Sequence, residues 1–323
     1  MQNSYDVAIV NFNGRNIIGK CLDSVYKSTI LPRKVIIYDN GSRDGSAELL
    51  KKKYSQVDLI EGKTNIGFAR GNNEALKRAT SKFVFFINND VVLDKNCAQA
   101  LLAGFKDKKI VVLNPMIYRG WKIKKNQPVY AFGAVLDRCG FNYGLYDRGG
   151  DRNDLSCFSG AAFMARTGVI KEMKFEQRFF LYYEEPDLAV KIFKKGLQIG
   201  RVKRAECYHL ESYSSPREIE GIAFRQFNSI QNKWYILGKY WPCLQLLGAF
   251  VVNGAHLLYI MYFMIKHLKL IYLKIFYLAP INMLTGLLHR GRTKTCDKAW
   301  FKRLDKAHPL KYLAIRQRVF AQK

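Results

Sequence analysis

Val7–Phe12 reads VAIVNF, an apolar run of strand length that stops at Asn13-Gly14. Asn-Gly is a turn signal, so the run predicts a buried strand. Ile17, Ile18, Cys21, Leu22 and Val25 then fall on one face of a helix. The alternation continues with a strand at Val35–Tyr38, a turn-rich loop at Asp39–Gly45 (DNGSRDG), a helix at Ser46–Tyr54 and a strand at Val57–Ile60. Asn72–Ala79 predicts a helix, and Phe83–Ile87 a strand that ends at Asn88-Asn89-Asp90. Strands and helices in this order predict an α/β fold with a parallel sheet and right-handed crossovers. Ligands of such sheets collect beyond the C-terminal strand ends. Here those ends carry Asn11, Asp39 and Asp90.

From about residue 110 to 215 the pattern is mixed. Val129–Leu136 and Phe141–Tyr146 predict a hairpin, Phe158–Arg166 a strand, Asp187–Lys195 a helix, and Gln198–Tyr208 a strand running into His209. After residue 216 the composition changes. Trp241–Ile265 is 25 residues without Asp, Glu, Lys or Arg, and Leu270–Leu288 is apolar apart from Lys274. Residues 289–323 are basic. The expected division is an α/β domain over 1–215 and a helical, membrane-associating region over 216–323.

Charge sharpens this picture. The 323 residues carry 53 Lys and Arg against 26 Asp and Glu, a formal +27. Such a surplus calls for an anionic partner: nucleic acid, acidic lipid or a phosphate-bearing small molecule. Residues 233–323 hold 16 Lys and Arg against Asp297 and Asp305, just over half the excess in under a third of the chain. That placement beside apolar segments favours a membrane surface over nucleic acid, for which no recognised motif is present. A 49% hydrophobic composition excludes a disordered chain. The seven Cys include no CxxC pair, which argues against a zinc ribbon or disulfide framework and for a reducing compartment. The N-terminus runs from a polar start straight into a strand, so no signal peptide is expected.

Four segments carry candidate chemistry. The first joins Val10–Gly14 (VNFNG) to Tyr38–Ser46 (YDNGSRDGS). A DNGS loop alone is only a turn, but Asp39 follows a buried strand and could accept from a base N–H or a ribose hydroxyl. In the second, Asn65–Asn73 (NIGFARGNN), two glycines allow close backbone approach and Arg70 supplies positive charge, unless the segment is simply a helix cap. The third, Asn88-Asn89-Asp90, places a lone carboxylate between amides, suited to a hard cation on a diphosphate or to an ordinary solvated turn. The fourth joins Phe179–Leu188 (FFLYYEEPDL) to Cys207-Tyr208-His209. Pro186 suits the first residue of a helix, which would put Glu185 at its N-terminus with the dipole favouring the ionised form a general base needs.

The order of VNFNG, YDNGSRDGS, NIGFARGNN, INNDVVLD, FSGAAFMAR, FFLYYEEPDL and YHLES resembles glycosyltransferase family 2, nearest its rhamnosyltransferase-like branch, over roughly residues 5–215. The resemblance implies the GT-A nucleotide-diphospho-sugar transferase fold, a Rossmann-like, mostly parallel sheet. It implies Glu185 as the general base, Asp39 on the nucleotide base with Asn11 beside it, and Arg70 and Asn89 as further donor contacts. Asp90 and His209 become ligands of a divalent metal, Mn²⁺ or Mg²⁺. One base without an opposing nucleophile implies a single displacement with inversion. The partners implied are a nucleotide-diphospho-sugar donor and a glycan or polyprenyl-diphosphate-linked acceptor, at the cytoplasmic face of a membrane. Two departures stand out: the metal motif reads NND, and the usual Glu-Asp pair is Glu184-Glu185. They keep open an inactive homologue that binds a sugar nucleotide. A QxxRW motif, which marks processive synthases, is absent, so single-sugar transfer is expected. The apolar stretch is expected to lie in the membrane interface, with spanning as the alternative.

Overall fold

The structure is a computed structural model that describes residues 4–120, 128–210, 219–266, 274–290 and 300–305. Residues 211–212 of YHLES and most of the basic 289–323 segment lie outside the described residues. The chain divides into two compact units, Met1–Ala134 with Gly144–Arg217 and Val135–Tyr143 with Glu218–Lys323. The second unit therefore includes a short stretch, 135–143, that the expected boundary at 215 had left with the sheet.

The first unit opens with β1 (Tyr5–Asn11), β2 (Lys34–Asp39), β3 (Asp58–Glu61) and β4 (Phe83–Ile87), parallel in the order β3-β2-β1-β4. The crossovers contain α1 (Ile18–Tyr26), α2 (Ser46–Lys53) and α3 (Phe68–Arg78). All five residues of β4 are buried, as a continuous apolar run covered on both faces requires. Tyr5, Val7 and Ile9 of β1 pack with Ile18 and Leu22 of α1 in the main core.

Beyond β4 the sheet becomes mixed. β10 (Ala162–Arg166) runs antiparallel to β4 and to β6 (Ile110–Arg119). β11 (Gln198–His209) runs parallel to β6 and antiparallel to the short β5 (Val91–Leu93). That last pairing matters most, because it carries His209 back to the end of β4.

Three elements differ from expectation. Gly133 takes φ +90°, which only glycine adopts readily, and it splits the first hairpin strand. β7 (Val129–Ala131) therefore pairs with β6, and β8 (Ala134–Leu136) pairs with β9 (Asn142–Gly144). The strand expected from Phe158 begins only at Ala162. Helix α6 (Glu184–Lys194) starts three residues before the expected Asp187, so Pro186 is its third residue, where no helical N–H partner is lost. The sequence reading passed over β5, β6, α4 (Cys97–Gly104) and α5 (Thr167–Met173).

In the second unit, α7 (Ile219–Tyr240) and α9 (Ile275–Leu288) cross at backbone contact. A Cβ on Gly238 would overlap the Met283 carbonyl, and one on Gly286 the Tyr235 carbonyl. Trp234, Ile230, Leu257, Ile260 and Ala279 fill the core with α8 (Cys243–Lys266). Asn253 of α8 donates to the Cys139 carbonyl at 2.9 Å, and Trp241 Nε1 to the Arg138 carbonyl at 2.7 Å. Among the described residues α8 is the one helix long and apolar enough to cross a membrane. Leu244, Leu247, Val251, Leu258 and Tyr262 leave a stripe of it exposed.

Candidate active site

The polar ends of β1 and β2 form one hydrogen-bonded chain. Asn11 Nδ2 donates to Asp39 Oδ2 at 2.9 Å, and Asn89 Nδ2 donates to Asn11 Oδ1 at 2.8 Å. The Ser42 N–H donates to Asp39 Oδ1 at 2.8 Å. Parallel pairing of β1 with β2 puts Asn11 beside Asp39, and the β1–β4 pairing brings in Asn89. Asn11 is fully buried, so the structure makes it a strut between Asp39 and Asn89. Gly14 lies against that strut: a Cβ there would overlap Asn11 Oδ1.

Asp90 and His209, 119 positions apart, meet through β5–β11. His209 Nε2 stands 3.0 Å from Asp90 Oδ1, and both side chains are buried. The Leu210 N–H donates to the Asp90 carbonyl at 3.2 Å, and the Tyr130 ring meets the imidazole edge-on at 4.6 Å. Buried His209 Nδ1 has no hydrogen-bond partner. Among the described residues no group of three or more His, Cys, Asp or Glu is placed to hold a metal ion. A carboxylate and an imidazole supply two of the ligands a divalent cation takes, and imidazole suits Mn²⁺ better than Mg²⁺.

Glu184 and Glu185 begin α6 after Tyr182 and Tyr183, both at positive φ (+69° and +74°). Left-handed backbone at two consecutive tyrosines costs on the order of 1–3 kcal/mol each, and such strain gathers at functional sites. It turns Glu184 inward, where its Oε1 is buried without a partner. Burial, with Glu185 and Asp187 beside it, pushes the Glu184 carboxyl well above the usual range. Glu185 is half-buried, and its carboxylate fills the space that a Cβ on Gly160 would occupy. The dipole was expected to favour ionised Glu185; desolvation outweighs it and lifts the carboxyl to about 7. Asp187 pairs with Lys191 at 2.6 Å. The Asn88 N–H, two residues before Asp90, donates to the Ala161 carbonyl beside Gly160 at 2.9 Å.

Arg70 lies on α3, within the NIGFARGNN segment. It is exposed, and its Nε donates to the Gln177 carbonyl at 2.7 Å. Asn73 clasps Phe175, donating to its carbonyl at 2.9 Å and accepting from its N–H at 3.0 Å. The NIGFARGNN segment thus anchors the loop that leads to Glu184 and Glu185. Sequence reasoning gave Gly14 only as a turn residue and missed Asn114 and Gly160. The FSGAAFMAR match was the one signal that could have found Gly160.

The sheet order, with its polar residues at the strand ends, is that of the GT-A class of fold. GalNAc-T7, solved with UDP, GalNAc and Mn²⁺, superposes with a TM-score of 0.59 at 14% identity, over 75% of this chain and 49% of that one. The model of glycosyl transferase family 2 matches residues 6–173, and the chain belongs to that family. It is 32% identical over 110 residues to poly(ribitol-phosphate) beta-glucosyltransferase of Bacillus spizizenii, covering 32% of this chain and 17% of that protein's length. It is 22% identical over 238 residues to N-acetylglucosaminyl-diphospho-decaprenol L-rhamnosyltransferase of Mycobacterium tuberculosis, covering 66% of this chain and 78% of the relative.

Proposed function

We propose that the protein is an inverting glycosyltransferase. It moves one sugar, with rhamnose a candidate, from a nucleotide-diphospho-sugar to a hydroxyl of a glycan or polyprenyl-diphosphate-linked acceptor in cell-surface polysaccharide synthesis. The observation that carries this reading is Glu185, a half-buried carboxylate seated on Gly160 in the same backbone stretch that binds the Asp90 loop.

Asp39, held by Asn11 and Ser42, accepts from the nucleotide. Asp90 and His209 would hold a divalent ion, with Asn89 beside them. Such an ion, when bound, neutralises the leaving nucleoside diphosphate. Glu185 takes the proton of the acceptor hydroxyl as that oxygen attacks the anomeric carbon from the face opposite the leaving group. A base that titrates near the working pH is well matched to this task. With no second carboxylate assigned as a nucleophile, the displacement is single and the configuration inverts.

The second unit holds the enzyme on an anionic membrane surface at the cytoplasmic face. The exposed apolar stripe of α8 supports this, as do Lys266, Lys274 and Arg290 near the helix ends. The buried bond from Asn253 to the Cys139 carbonyl, at the middle of α8, favours a helix lying in the interface. A spanning α8 would carry that polar hairpin toward the bilayer centre. The test is a panel of nucleotide sugars scored by thermal shift with and without Mn²⁺. NMR of the product anomer with the best donor then reads the stereochemistry. Metal-dependent donor binding without transfer or donor hydrolysis would mark an inactive homologue.

A further inference from the structure

Asn114 sits inside β6, fully buried, and directs its amide to one short segment. Its Nδ2 donates to the Ser159 carbonyl at 3.0 Å and the Ala162 carbonyl at 2.7 Å. Its Oδ1 accepts from the Ser159 N–H at 2.9 Å. A buried amide bonded this way grips both ends of Ser159–Ala162, and each bond lost would leave a buried polar group unpaired. This grip also explains why β10 starts only at Ala162.

Two parts of the site rest on the gripped backbone. The Glu185 carboxylate occupies the position a Cβ on Gly160 would take. The Ala161 carbonyl accepts from Asn88, two residues before Asp90. We infer that Asn114 is a positioning residue for Glu185, setting the place of its carboxylate through the Ser159–Ala162 backbone. The inference rests on the reading of Glu185 as the base. The grip also bears on proton affinity, because the segment helps to keep water from a carboxyl that burial raises to about 7. The other ionisable groups beside it are Glu184 on α6 and the buried Cys157 thiol.

The experiment uses full-length protein carrying ¹³C at its Glu carboxyl carbons, titrated without ligand, with the Glu185 signal assigned by its loss in Glu185→Gln. Asn114→Ala frees the segment, and Gly160→Ala pushes the carboxylate from its seat. Both are expected to move the Glu185 midpoint toward the ordinary Glu value by roughly one unit. With the donor found by the panel, kcat should fall on the order of 10²-fold, the cost of misplacing a group by about 1 Å. The donor KM should stay within about twofold, because binding is not what the grip supports. A folded Asn114→Ala with the wild-type Glu185 midpoint overturns the inference. If that variant does not fold, Asn114→Ser, which keeps one donor, gives the same readout. Full transfer by Glu185→Gln would overturn the base assignment instead, and the titration result would stand apart from it.

Discussion

Glu184 and Glu185 are chain neighbours with different chemistry, because α6 turns one fully inward and leaves the other half-exposed. Glu185→Gln should keep donor affinity and lose transfer by about 10²–10⁴-fold, the usual contribution of a general base. Loss of donor binding in that variant would make Glu185 a ligand contact. In the wild type, kcat/KM should rise with pH and level off above about 7, since the ionised form is the active one. Both carboxyls hold their protons to higher pH in the fold than the ordinary value of 4.5. They therefore oppose folding increasingly as pH rises from about 4.5 through 7. Glu184→Gln should raise Tm at pH 8 and change it little at pH 5; equal shifts at both would show that Glu184 is not held neutral. Asp90→Ala should abolish Mn²⁺-dependent donor binding in a folded protein, and His209→Ala should weaken it less. Isothermal titration with Mn²⁺ and the best donor checks both.

At the scale of elements, the loop from Phe175 to Tyr183 is held from one side by α3. Gly67 takes φ +87°, and a Cβ there would overlap the Phe180 backbone, so the two segments touch where glycine alone fits. Gly67→Ala should destabilise the fold by about 1–3 kcal/mol through strain and overlap. It should also lower transfer, because the loop aims Glu185. Urea unfolding alongside a transfer assay checks both effects, and normal transfer in a destabilised Gly67→Ala would separate the loop from the chemistry. The NIGFARGNN glycines were visible in the sequence as points of close approach. Gly71 packs against the Val10 and Tyr38 side chains, whereas Gly67 meets the Phe180 backbone, and that approach depends on α3 lying against a loop more than a hundred residues away, which no local pattern encodes.

At the scale of the whole molecule, the second unit joins close-packed α7 and α9 to an α8 with an exposed apolar stripe. Interfacial docking predicts that high salt followed by alkaline carbonate releases the full-length protein from native membranes. Retention through carbonate, with protease protection of 243–262, would make α8 a span. The charge division gives the expectation of a membrane-associating C-terminal part, since Lys and Arg beside apolar runs are a local signature. It did not foresee that 135–143 groups with that part, because the Asn253–Cys139 and Trp241–Arg138 bonds join segments about a hundred residues apart.

The chain by itself determined the parallel half of the sheet and the polar residues at its strand ends. Apolar runs and turn residues act over a few neighbours and need no distant partner. It also singled out Asp39, Asp90, Glu185 and His209 by motif as candidates. Tertiary structure alone decided that Asp90 meets His209, since antiparallel β5–β11 pairing brings them together. It joined Asn11 to Asp39 and Asn89 across the sheet and Arg70 Nε to the Gln177 carbonyl, contacts between residues far apart in the chain. It also reversed the expected effect on Glu185: a helix dipole can be read from sequence, whereas the burial that outweighs it depends on Gly160 and the backbone that Asn114 grips.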